Sequence, residues 1–163
     1  MTTDHGARLG EMARAFTAAV MAGDGPALAA LFTPDGTYVD GFYGPFTGRA
    51  AIAGMLHEHF HGAGRDFRWD MVDPVSDGRI GYVRYLFSYT STMPEAAGRR
   101  VVFAGMGCFE LVDGAIARYS EVFERGSALA QLDFAPERIK KALLRWAAAD
   151  AGRPDAAPHR AVG

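Results

Sequence analysis

GTYVDGFYGPFTGRAAI, residues 36–52, is the stretch around which the chain is organised. Thr37 to Asp40 reads as a short strand, with β-branched and aromatic residues leading to an acid. Glycines and a proline then break regular structure, and the chain is predicted to enter a helix near Arg49. Side chains alternate along a strand, so Tyr38 and Asp40 point to one side and Thr37 and Val39 to the other. On an apolar side, Asp40 would hold its proton more tightly and suit a general base. The competing reading is a turn cap, with Asp40 bonding to backbone just after it.

Upstream, Leu9, Met12, Phe16 and Val20 recur at helical spacing and predict an amphipathic helix over 7–22, ended by Gly23. Asp24 is an N-cap for a second, short helix with Pro26 in its first turn. Thr33-Pro34-Asp35-Gly36 reads as a turn. Downstream, Ile52, Leu56 and Phe60 share one face of a helix predicted over 47–61. Strands are expected over 67–72, 80–91, 100–111 and 115–123, with hairpin signals at Ser76-Asp77-Gly78 and Asp113-Gly114. Helices followed by a meander of strands give an α+β class. Pro136 opens a last helix to about Ala149, with Ile139, Leu143 and Trp146 on one stripe, facing the sheet or a partner subunit. The expected organisation is one domain over 1–150, with 126–150 a helical extension and 151–163 a disordered tail.

Composition narrows the function classes. The chain of 163 residues is 49% hydrophobic and 12% aromatic, which suits one core. A formal net charge of −2 and no polybasic cluster argue against nucleic acid or a membrane surface as partner. There is no apolar run of about 18 residues, and the N-terminal stretch lacks the apolar core of a signal peptide. The lone Cys108 cannot form an internal disulfide, which points to a reducing cytoplasm; an inert buried thiol is expected there.

Several positions bear chemistry. On strand 80–91, Tyr82, Arg84, Leu86 and Ser88 share one face, and Val83, Tyr85, Phe87 and Tyr89 the other. Phe103, Gly105 and Gly107 share a face whose glycines either border a cavity or permit a bend. Tyr119, Glu121 and Phe123 share another, where Glu121 is either a buried functional acid or an exposed residue. Trp69 and Met71 alternate on their strand as packing or pocket wall. His57-Glu58-His59-Phe60-His61 spells the H-E-x-x-H zinc-helix pattern, but no third ligand follows at the usual spacing. A solvated histidine face is expected there, and no metal. Asp133 and Arg138 read as surface groups.

Taken together, the Ala22-Gly23-Asp24 helix end, the Leu31-Phe32 pair, the strand ending at Asp40, the Gly48-Arg49-Ala50-Ala51-Ile52 helix start, the Val112-Asp113-Gly114 hairpin and the strand Tyr119 to Glu124 resemble the nuclear transport factor 2-like superfamily. The resemblance spans residues 7–126 and implies a cone of curved sheet and helices around a deep apolar pocket. It hosts many chemistries, so fold alone does not fix function. Against ketosteroid isomerases, Asp40 falls at the base position, while Phe16 and Gly107 stand where the oxyanion-binding tyrosine and aspartic acid are expected. Against limonene-epoxide hydrolases, Tyr38, Asp40, Arg84 and Glu121 fall at polar positions, and Leu86 stands where the acid is expected. SnoaL-like polyketide cyclases share the cone and a carboxylate acid/base.

The resemblance therefore implies a polar cluster of Tyr38, Asp40, Arg84 and Glu121, with Arg84 between the two carboxylates. The expected wall comprises Phe16, Leu56, Phe60, Trp69, Leu86, Phe103, Gly105, Gly107, Tyr119 and Phe123. The implied activity is cofactor-free acid–base chemistry on an apolar cyclic small molecule: isomerisation, cyclisation or dehydration. Epoxide hydrolysis and a non-catalytic binding or dimerisation domain are the alternatives. A homodimer is expected through the outer sheet face, with Tyr85, Phe87 and Tyr89 on it.

Overall fold

The computed structural model describes residues 4–161. Helix α1 spans His5–Ala22. Asp4 caps it by accepting from the Ala7 N–H at 2.9 Å, and Gly23 ends it in the left-handed conformation, φ 69°. Leu9, Ala13, Phe16 and Val20 form its buried stripe, and the helix lies along β3. Asp24 caps α2 (Gly25–Ala30) in the same way.

Strand β1 runs Phe32–Asp40, longer than predicted. The expected turn at 33–36 is instead an irregularity within it, where the register against β6 shifts between Phe32 and Thr37. After Asp40 the chain reverses into β2 (Gly44–Thr47), and α3 (Arg49–Met55) follows. The predicted single helix is in fact three pieces. A π turn over Leu56–Phe60 separates α3 from α4 (His61–Ala63). The wider turn keeps Ile52 and Leu56 in the core and releases Phe60 to a half-buried position.

The remaining strands are β3 (Gly64–Ser76), β4 (Ile80–Ser91), β5 (Arg100–Val112) and β6 (Ala115–Phe123). Among the described residues one open sheet results, in the order β2-β1-β6-β5-β4-β3, with only the β1–β6 pair parallel. The α+β architecture and curved sheet agree with the sequence reading. Helices α5 (Arg125–Gln131) and α6 (Pro136–Ala151) follow. Beyond them the stretch expected to be disordered forms a 3₁₀ turn (Pro154–Ala156) and a short α7 (Ala157–Arg160). Arg153 pairs there with Asp155, and Arg160 donates to the Ala151 and Arg153 carbonyls. Residues 162 and 163 of the expected tail lie outside the described residues. Among the described residues no helix is long and apolar enough to cross a membrane.

Strand register decides which face is interior. Val83 pairs with Gly107 and Gly107 with Glu121, while Tyr85 pairs with Gly105 and Gly105 with Phe123. Directly opposed residues share a face, so Tyr85 and Glu121 are on the same side. That side is the core: Val83, Tyr85 and Phe87 are buried. The alternate row faces solvent, with Leu86 51% exposed and Arg84 opposite Met106. Two expectations are corrected. Arg84 and Leu86 lie outside the cone, where Arg84 pairs with Asp73 at 2.9 Å through Nε, and Tyr85, Phe87 and Tyr89 lie on its inner face rather than on a dimer surface.

Gly105 and Gly107 neither border empty space nor mark a bend. They make room for tyrosine rings. A Cβ on Gly105 would sit 2.4 Å from the Tyr85 hydroxyl and 2.8 Å from the Val122 carbonyl oxygen; one on Gly107 would sit 2.9 Å from the Tyr119 ring. Gly105→Ala is expected to destabilise the protein by about 1–3 kcal/mol through this overpacking. The loss is read as a melting temperature lowered by several degrees.

Candidate active site

The parallel pairing of β1 with β6 sets Tyr38 beside Tyr119. Two residues further along each strand come Asp40 and Glu121, the acids at the inner end of the cone. Asp40 is 6% exposed, and its Oδ1 accepts from the N–H groups of Phe42 at 2.8 Å and Tyr43 at 2.9 Å. Asp40 therefore caps the turn and is buried as well. Burial raises its proton affinity, partly opposed by those two N–H donors and by nearby His59.

Glu121 Oε2 accepts from the Tyr85 hydroxyl at 2.9 Å and the Tyr119 hydroxyl at 3.2 Å, and Oε1 from the Gly41 N–H at 3.4 Å. No cation touches it among the described residues. Burial, and then the charge of Asp40, push its pKa up to about 7 against the three donors. Asp40 is held by two short backbone bonds, so Glu121 is the acid of the pair that keeps its proton to higher pH. Burial and the Glu121 charge also hold Tyr85 and Tyr119 well above the ordinary phenol range, so both stay donors.

The acids open on an aromatic chamber of about 70 Å³. Of the residues expected on the wall, Phe60, Trp69, Phe103 and Phe123 line this chamber. Phe16 and Leu56 do not; both are fully buried core, with Phe16 stacked on Tyr38 at 5.7 Å between ring centres. Tyr38 is likewise fully buried, and its hydroxyl and the Trp69 indole N–H have no hydrogen-bond partner among the described residues. Tyr119, Gly105 and Gly107 stand behind the wall, and Arg84 and Leu86 are absent from the site.

Sequence reasoning missed Tyr85, the principal donor to Glu121, and the wall residues Phe42, Tyr43, His59, Phe67, Phe87 and Tyr89. A signal for Tyr85 was present, since Val83, Tyr85, Phe87 and Tyr89 form the more apolar row of β4. The three histidines diverge. His57 is exposed, His59 stacks on Tyr43 at 4.4 Å, and His61 Nε2 lies 2.8 Å from the Val20 carbonyl oxygen. Among the described residues no group of three His, Cys, Asp or Glu side chains is placed to hold a metal ion. Cys108 is half-buried, and burial raises its thiol pKa.

Residues 13–119 match the model of the SnoaL-like domain. No curated protein sequence matches this chain. Among solved structures, a protein of ketosteroid isomerase-like fold from Catenulispora acidiphila, in complex with trimethylamine, is 22% identical with a TM-score of 0.68, covering 77% of this chain and 98% of its own. A candidate polyketide cyclase from Xanthomonas campestris is 23% identical with a TM-score of 0.65, covering 79% and 99%. An LEH-like epoxide hydrolase from Mycobacterium tuberculosis is 20% identical with a TM-score of 0.64, covering 80% and 88%. At these identities the likeness is one of fold.

The raised Glu121 pKa has a consequence for stability. The folded protein holds a proton at Glu121 that the unfolded chain releases near 4.5, so folding stability falls as pH rises from 4.5 to about 7. Glu121→Gln removes that dependence. The variant is expected to gain on the wild type across this window, by about 2–3 kcal/mol at pH 8 relative to pH 5. Urea unfolding at the two pH values measures it.

Proposed function

The chain belongs to the SnoaL-like domain family, and from that premise we propose that it is a cofactor-free acid–base enzyme acting on an apolar cyclic small molecule. The reaction is an isomerisation, cyclisation or dehydration. The observation that carries the reading is Glu121: a carboxylate with a pKa of about 7, on the wall of an aromatic chamber, held by two phenol hydroxyls and, among the described residues, by no cation. A group that titrates near the working pH is both an adequate base and an adequate acid. Glu121 takes a proton from carbon beside a carbonyl, the C–H electron pair moves toward the carbonyl oxygen, and the same carboxyl returns the proton at another atom. Asp40 stays ionised next to it and keeps its proton affinity high. The aromatic wall excludes water and suits a flat or ring-shaped reactant.

Epoxide opening is the weaker alternative. Its relay required an arginine between acids, and Arg84 pairs with Asp73 on the outer face. A homodimer is part of the proposal, through the outer face of the sheet, where Val122, Met106 and Leu86 are 78%, 50% and 51% exposed. A cytoplasmic location is also proposed, on the single cysteine.

β-Tetralone in heavy water serves as a probe of enolisation. The wild type is expected to speed deuterium uptake at the carbon next to the carbonyl, and Glu121→Gln to slow it by at least about 10²-fold. Asp40→Asn should shift the pH profile to lower pH, because the neighbouring charge that raises Glu121 is gone. Diol formation from limonene epoxide instead of exchange would favour the hydrolase. Absence of both, with an ordinary carboxyl titration for Glu121 by NMR, would leave a binding domain. Light scattering is expected to give twice the 17.5 kDa chain mass, and a monomer at micromolar concentration would remove the dimer from the proposal.

A further inference from the structure

The chamber beside Glu121 is not closed. Phe42, Tyr43, Ala63 and Tyr89 line both it and a second, larger space beneath α6. That vestibule has a volume of about 730 Å³, against about 70 Å³ in the chamber. A ligand larger than the chamber would extend into the vestibule.

The two compartments differ in charge. The chamber holds Asp40 and Glu121. The vestibule is lined by Arg138, Lys141 and Arg145 and by no carboxylate. These cations recur at i, i+3 and i+7, so they share one face of α6. Its charged lining is cationic alone, although the chain as a whole carries a formal net charge of −2. Arg138 is taken by Glu95 at 3.1 Å and lies over the Phe134 ring. Lys141 and Arg145 make no ion pair or hydrogen bond among the described residues, whereas Arg68, Arg84 and Arg99 each have an aspartate partner. Trp146, beside them, supplies an apolar surface at the same level.

We propose that the ligand is a small amphiphilic anion: an apolar ring body with one anionic terminus, a carboxylate or a sulfonate-like group. The terminus docks on Lys141 and Arg145 in the vestibule, and the apolar end enters the chamber. Repulsion from Asp40 and Glu121 and attraction to α6 orient it in one direction only. This assignment rests on the chamber being the substrate site and names the substrate class for it. The role of α6 is then to discriminate charge at the entrance, which a cone ending at β6 could not do.

Two dyes with the same aromatic body test this: anilinonaphthalenesulfonate, which carries a sulfonate, and N-phenylnaphthylamine, which is neutral. Fluorescence titration of the full chain is expected to give at least about tenfold tighter binding of the sulfonate dye, an advantage that salt weakens. The double variant Lys141→Gln, Arg145→Gln should lose about tenfold for the sulfonate dye and bind the neutral dye unchanged, which also shows that the fold is intact. Lys140→Gln is the control, since Lys140 lines a groove with Ile139 and Leu143 rather than the vestibule. Glu121→Gln should bind the sulfonate dye at least as well as wild type, so a failure of the proton-transfer reading leaves this result untouched. Equal affinities for the two dyes, no binding of either, or full sulfonate affinity in the double variant overturns the proposal.

Discussion

A carboxylate shut in with tyrosines and denied a cation is the constraint on which the inner end of the cone depends. Glu121 can stay there because three donors reach it, two from phenols and one from the backbone. Each donor fixes something else. The Tyr85 ring reaches Glu121 across β5, which is possible only because position 105 has no side chain. The Tyr119 ring lies against Gly107 for the same reason. The Gly41 N–H is aimed by the turn that Asp40 caps. The glycines of β5, the turn after β1 and the acid on β6 are thus one unit, though each comes from a different part of the chain.

This explains how unevenly the sequence could be read. The helices, the hairpins, the α+β order and the strand end at Asp40 were legible because each rests on local signals: caps, periodicity and glycine turns. The shared face of Tyr119, Glu121 and Phe123 was legible from the alternation of β6, and Phe103 and Phe123 line the chamber. The π turn at Leu56–Phe60 was not legible, because apolar spacing at 52, 56 and 60 fits an α-helix equally well. The purpose of Gly105 and Gly107 was not legible either, since the rings that fill their space come from β4 and β6.

The inversion of β4 has a different cause. Its two rows are Tyr82, Arg84, Leu86, Ser88 and Val83, Tyr85, Phe87, Tyr89, and only the second lacks a charge. Burial statistics favour the second row as interior. Matching Arg84 and Leu86 to positions in relatives put the first row inside instead. Register contradicts that at once: Glu121 and Phe123 on one side of β5 require Val83 and Tyr85 on the other to share their face. Pairing outward from Gly107 to its neighbour Gly105 places Tyr85 on the face of Glu121.

The absence of the arginine from the interior is what gives the site its proton affinity. A guanidinium in contact with a carboxylate lowers its pKa by about 1–3 units. Placed against Glu121, it would cancel most of the rise from 4.5 to about 7 and leave a permanently ionised pair with no proton to exchange near neutrality. The phenols act more gently: they satisfy the carboxylate's lone pairs while staying neutral, so burial and Asp40 still dominate. The energetic cost is modest on the scale of the core around it. Burying one aromatic side chain contributes about 1.5–3 kcal/mol. Phe16, Tyr38, Phe109 and Tyr119 are all fully buried within one cluster, Tyr38 and Tyr119 having ring centres 5.0 Å apart. Two of them offset the cost of raising this carboxyl from 4.5 to about 7, which is about 3 kcal/mol. The aromatic packing that shapes the cone therefore also makes a neutral-range acid thermodynamically tolerable at its inner end.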